Sequence, residues 1–157
     1  MITGSRLHRP LAATASAVGL ALTLTLTACA STDAGPSPTD SAGVPAGLAG
    51  VATFQVEGGD GPETFRIGLA STELVDHAQQ LLAGEEVAAI PVGKISYDGD
   101  GGVNAPWSWH IDPKTLEFAD MTTEVCDGLP SFVERHEVTS DTYCPWSSTV
   151  VAVEVAK

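Results

Sequence analysis

Ser108, His110 and Asp112 occupy alternate positions in "APWSWHIDP", residues 105–113. These side-chain types are the parts of a nucleophile, a general base and an orienting carboxylate. On an extended strand, however, side chains at i and i+2 stand about 6–7 Å apart and point in parallel, whereas a triad needs converging hydrogen bonds. The chain also has no Gly-x-Ser-x-Gly elbow to expose a serine nucleophile, so serine hydrolysis is not the expectation. A metal centre is chemically more reasonable: His110 and Asp112 supply two ligands, with Glu124 or Asp127 as a third. Against it, Asp112 precedes Pro113, where aspartate ordinarily caps a turn. His110 is expected to bridge to Glu124 as a structural hydrogen bond, and no cofactor is expected.

The three tryptophans, Trp107, Trp109 and Trp146, lie in "PWSW" and "CPWSS". Aromatic rings can form a platform for sugar rings or apolar ligands, but in a small domain they first serve as core because each buries a large area. Strand alternation places Trp107, Trp109 and Ile111 on one face, and Trp146, between Pro145 and two serines, is the ring expected at the surface. The acidic "DGDGG" of residues 98–102 begins like a calcium loop. Its twelfth position counted from Asp98 is Trp109 rather than glutamate, a poor match to the bidentate requirement, and a hairpin tip is the simpler reading.

These residues need a scaffold. "VATFQVE" (51–57) and "TFRIGLA" (64–70) alternate apolar and polar positions around a "GGDGP" turn, which predicts a hairpin. In "STELVDHAQQLLAGEE", Leu74, Val75, Ala78, Leu81 and Leu82 keep helical spacing, with Ser71 or Thr72 as cap and Gly84 as stop. Further strands are predicted at 89–97, 107–111 and 116–121. A short helix is predicted over 129–136, with Pro130 in its first turn. The closing run "STVVAVEVA" reads as a central or well-covered strand. The order ββαβββαβ predicts an α+β fold, mostly one antiparallel sheet with two helices on one face.

The N-terminal residues carry a different message. Arg6 and Arg9 precede an uncharged, increasingly apolar run from Leu11 to Ala28, the layout of a secretory signal. The run ends in Leu26-Thr27-Ala28-Cys29, which resembles a lipobox, and that resemblance implies lipidation of Cys29 after removal of residues 1–28. Residues 29–50, rich in Pro, Gly, Ser and Thr, then form a flexible tether, and 51–157 the folded domain. Once Cys29 is lipidated, Cys126 and Cys144 are the remaining cysteines, and an even pair in an oxidising compartment is most simply a disulfide. Removing the signal leaves five basic residues against twenty acids, a formal charge of −15. That charge excludes non-specific nucleic-acid binding, which needs a basic footprint. It also keeps the domain off an anionic lipid surface, so the membrane is a partner through the anchor alone.

"FRIGLAS", "PWSWHIDP", "EVCDGLPSFVE" and "CPWSS" together resemble a small domain of secreted bacterial proteins. The same domain opens a calmodulin-binding, cAMP-inducible prespore protein of slime moulds. The resemblance covers about residues 52–155 and implies a module without an assigned reaction; calmodulin binding does not transfer to a chain with a bacterial lipobox. The expectation is therefore an extracytoplasmic lipoprotein on the outer face of the cytoplasmic membrane, carrying a binding module whose partner is a protein or small molecule. The alternative is a small envelope hydrolase or metal-dependent enzyme centred on His110, Asp112 and Glu124.

Overall fold

A computed structural model describes residues 43–157; the expected signal segment, Cys29 and most of the expected tether lie outside the described residues. The elements are β1 (Gly50–Val56), β2 (Glu63–Leu69), α1 (Thr72–Leu82), β3 (Ile90–Ser96), β4 (His110–Ile111), β5 (Glu117–Ala119), α2 (Pro130–Glu134), β6 (Thr142–Tyr143) and β7 (Ser148–Val155), with a 3-10 turn at Glu124–Cys126 before α2. All strand pairings are antiparallel. With two helices and a Cys126–Cys144 disulfide, the fold is α+β.

The predicted single sheet is two. One has the order β2-β1-β7; in the other, β3 pairs with β4, β5 and the unanticipated β6. The long β1–β2 hairpin keeps register from Gly50↔Leu69 to Val56↔Glu63, whereas β3 meets each partner over only two or three residues. Short ladders broken by turns cannot extend the first sheet.

Alternation in the hairpin directs Ala52, Phe54 and Val56 of β1 and Phe65, Ile67 and Leu69 of β2 into the core. Ser71 caps α1 by accepting the Leu74 amide through Oγ, and Val75 and Ala78 join the same core. The helix presses close at Gly50, where a Cβ would meet Val75 Cγ2 at 2.8 Å and the Glu154 carbonyl oxygen at 2.6 Å. From the second sheet come Ile111 and Tyr143, from the position just before β4, Trp109, and from α2, Val133. The rings pack as Phe54–Phe65 (5.4 Å), Phe65–Tyr143 (5.4 Å) and an edge-on Trp109–Tyr143 pair (5.4 Å), the offset and T-shaped geometries that aromatic quadrupoles favour.

Three expectations need correction. Strand 107–111 shrinks to His110–Ile111 because Val103 and Asn104 donate to the Asp100 carbonyl and Trp107 to that of Asn104. These turns consume the backbone that a strand would use. The terminal run 148–155 lies at a sheet edge, beside the better-buried β1. Its β-branched composition reflects a fit to pleated backbone rather than burial. Residues 43–50, read as the end of the tether, are built into the domain: Ala49 donates to the Leu69 carbonyl at 2.8 Å and accepts from the Ala156 amide at 2.9 Å.

Candidate functional site

The "NAPWSWH" stretch is organised by the outer edge of β2. Asn104 is fully buried. Its Oδ1 accepts the Arg66 amide at 2.7 Å and its Nδ2 donates to the Trp109 carbonyl at 2.8 Å. Trp107 Nε1 donates to the Thr64 carbonyl at 2.8 Å. Side chains thus close the edge that a neighbouring strand would otherwise occupy, one of the ways proteins blunt exposed strands. Two carboxylates fasten α2 to this assembly. Glu134 accepts both the amide and the hydroxyl of Ser108 at 2.9 and 2.8 Å, and Glu63 accepts both from Ser131 at 2.7 Å. The hydrogen bonds from the Ser108 amide and hydroxyl hold the Glu134 carboxyl below the usual glutamate range.

His110 does not bridge to Glu124. Its Nδ1 meets the Gly99 carbonyl at 2.8 Å and stands 3.7 Å from Asp98 Oδ1. Its ring lies over Gly101, where a Cβ would come within 2.6 Å of the imidazole and φ is +62°, so only glycine suits that position. The acidic loop is folded on itself. Asp98 accepts from the Ser96 hydroxyl, which is the chief cause of its lowered carboxyl pKa, and Asp100 Oδ1 accepts the Gly102 amide at 2.9 Å. Asp112 caps the following turn: Oδ1 accepts the Lys114 amide at 3.0 Å and its carbonyl accepts from Thr115. Among the described residues, no group of three His, Cys, Asp or Glu side chains gathers to hold a metal ion.

Glu124 and Trp146 belong to a different neighbourhood, the segments joined by the disulfide. The Cys144 amide donates to the Cys126 carbonyl at 2.7 Å, and Asp127 Oδ1 accepts the Trp146 amide at 2.9 Å. Tyr143, beside the bridge, donates to the Gly128 carbonyl at 2.9 Å. Burial pushes its phenol well above the ordinary range, reinforced by the charges of Asp127 and Glu63. Glu124 is exposed. Trp109 is fully buried, whereas Trp146 keeps 42% of its surface exposed, and Trp107 is half-buried against the core.

The candidate cluster of Trp107, Trp109, His110, Asp112, Glu124 and Trp146 is therefore divided between two neighbourhoods. Ser108, His110 and Asp112 have separate partners, and none of them bonds another. Asn104, Glu63 and Glu134 matter more to the assembly and escape a motif search. The one hint in the sequence is an asparagine closing a Gly-rich loop just before proline.

The chain belongs to the BP-74 N-terminal domain family, whose model matches residues 50–157, from the first residue of β1 through β7 to the last lysine. No curated protein and no solved structure matches it.

Proposed function

We propose that this member of the family is a membrane-anchored extracytoplasmic lipoprotein whose single domain is a binding module. The observation that carries the reading is the fate of the residues that resembled chemistry. His110 is turned onto a backbone carbonyl, Ser108 onto Glu134, and Asp112 onto its own turn. A nucleophile must lie within hydrogen-bond reach of its base, and the base of its orienting group; here the three bond different partners and none bonds another. The lipobox-like "LTAC" before residue 30 supports the anchor, and the strong negative charge supports a domain standing away from the lipid surface. The likeness to a module of secreted bacterial proteins without an assigned reaction supports an extracytoplasmic domain.

The test has two arms. In-cell crosslinking of the wild-type chain at the envelope should give discrete adducts with a partner, while ester, glycoside and peptide substrates show no turnover on the purified chain. Reproducible hydrolysis lost in His110→Ala would replace this reading with the enzyme centred on His110, Asp112 and Glu124. Absence of any adduct would also remove it.

A further inference from the structure

The three-stranded sheet has two edges, and the chain treats them differently. The edge of β2 is closed by Asn104 and Trp107. The edge of β7 has no strand beside it among the described residues. The direction of its backbone groups follows from register. Arg66 donates outward to Asn104 and lies opposite Thr53, so Thr53 turns its own N–H and C=O toward β7, where it faces Ala152. The Ala156 amide, donating to Ala49, has the same parity. Ala152, Glu154 and Ala156 thus spend their backbone groups on β1, while Val153 and Val155 point theirs away. Beyond the register shift opposite Thr53 and Phe54, Val150 does so too. None of these three outward amides has a partner among the described residues.

Such a row of N–H and C=O groups is a template for another strand, and apart from the register irregularity opposite Thr53 and Phe54 β7 carries few of the usual deterrents. It contains no proline or lysine, and its single charge, Glu154, is paired with Arg66. Val151 and Val155 are exposed. Beside the start of the edge lies a groove of about 200 Å³ lined by Leu81, Ala89, Ser148, Thr149 and Val150. In strand addition, main-chain bonds provide affinity and pockets for alternate side chains provide selectivity; here the two occur together. Between Leu81 and Ala89 the chain exposes Glu85 and Glu86, neither of which is ion-paired among the described residues.

We propose that the outer edge of β7 receives an extended segment of a partner protein as an added strand, with β-branched or apolar residues at alternate positions and a lysine or arginine reaching Glu85 and Glu86. This rests on the reading of the domain as a binding module and names its surface. A second copy is the poorer occupant. Two copies bring together the same strong negative charge, which opposes their approach, whereas a basic segment is drawn to it.

The probe is a fluorescein-labelled synthetic peptide, Lys-Lys-Thr-Val-Thr-Val-Thr-Val, titrated into the purified full chain, beside the same peptide N-methylated at alternate residues. The plain peptide should saturate the chain and the methylated one should bind at least tenfold more weakly. Val153→Pro removes an amide that β1 does not use together with some of the packing of the Val153 side chain on the core, so it should still fold, with a lower melting temperature, while weakening the peptide at least tenfold. Glu85→Gln with Glu86→Gln should weaken it several-fold and flatten its salt dependence. Failure of the plain peptide to bind, equal binding of the methylated peptide, or wild-type affinity in a folded Val153→Pro chain would overturn the proposal. Should that variant not fold, the methylated pair decides. A dimer in sedimentation that Val153→Pro dissolves would overturn the choice of occupant. If envelope crosslinks persist in Val153→Pro, the module reading stands and the β7 assignment falls; if the wild type gives no crosslinks yet binds the peptide, the reverse holds.

Discussion

Trp109 and Asn104 are the two side chains on which the residue-scale energetics turn. Trp109 is fully buried among Phe65 and Tyr143, so Trp109→Ala should cost about 3–5 kcal/mol, as cavity-forming aromatic truncations do. Its indole N–H has no hydrogen-bond partner among the described residues. Trp109→Phe should therefore cost much less than the alanine variant, because relief of an unpaired donor offsets part of the lost packing. Trp146→Ala, at an exposed position, should stay within about 0.5 kcal/mol of wild type. Asn104→Ala strips partners from the Arg66 amide and the Trp109 carbonyl at once. Each buried group left unsatisfied costs about 1–3 kcal/mol, so this small change should rival the tryptophan truncation. Urea denaturation of the four variants measures all of these, and an Asn104→Ala chain as stable as wild type would contradict the role given to the β2 edge.

At the scale of elements, two fastenings hold the second half of the domain. The disulfide links the 3-10 turn to the residue following β6 across a separation of 18. In the chain-entropy account a loop of that length is worth roughly 3 kcal/mol, so Cys126→Ser with Cys144→Ser should lower the melting temperature by a margin that reduction of the wild type reproduces. The second fastening is Glu134 on Ser108. Its carboxyl is held below the ordinary value of 4.5, so the folded state binds its proton less readily than the unfolded chain. The contact therefore stabilises fully above about pH 4.5 and is lost as pH falls through the lowered native value. Melting curves at neutral pH and below pH 4 should show wild type losing stability that Glu134→Gln never had. Parallel acid profiles for the two proteins would refute this.

The whole molecule is a strongly acidic body, formally −13 across the full chain. Such a charge keeps copies apart and favours solubility. It also opposes approach to an anionic lipid surface, whose attraction is reserved for polybasic segments. A chain carrying Cys29→Ser should accordingly fail to cosediment with phosphatidylglycerol vesicles at low salt, whereas under the proposed acylation of Cys29 the wild type should partition through its acyl chains. Vesicle binding by the unacylated variant would show that the folded domain itself contacts lipid and would remove the stand-off geometry.

Local patterns carried much of this far on their own. The β1–β2 hairpin follows from alternation around "GGDGP", and α1 from its apolar spacing, Ser71 cap and Gly84 stop, because both depend on residues close in sequence. The cysteine pair follows from counting, given the lipobox-like segment that accounts for Cys29. Long-range geometry decided the rest. Whether "STVVAVEV" is central or peripheral depends on which strand β1 chooses for its second neighbour, and composition does not record that choice. Asn104 lies 38 residues from the amide it satisfies, and Glu134 lies 26 from the serine it clamps. From the sequence His110 is expected to bridge to Glu124, a carboxylate its type readily bonds, yet its partner is a backbone carbonyl, and every residue supplies one of those. The choice among equivalent carbonyls is made only when the chain folds back and brings Gly99 to the imidazole.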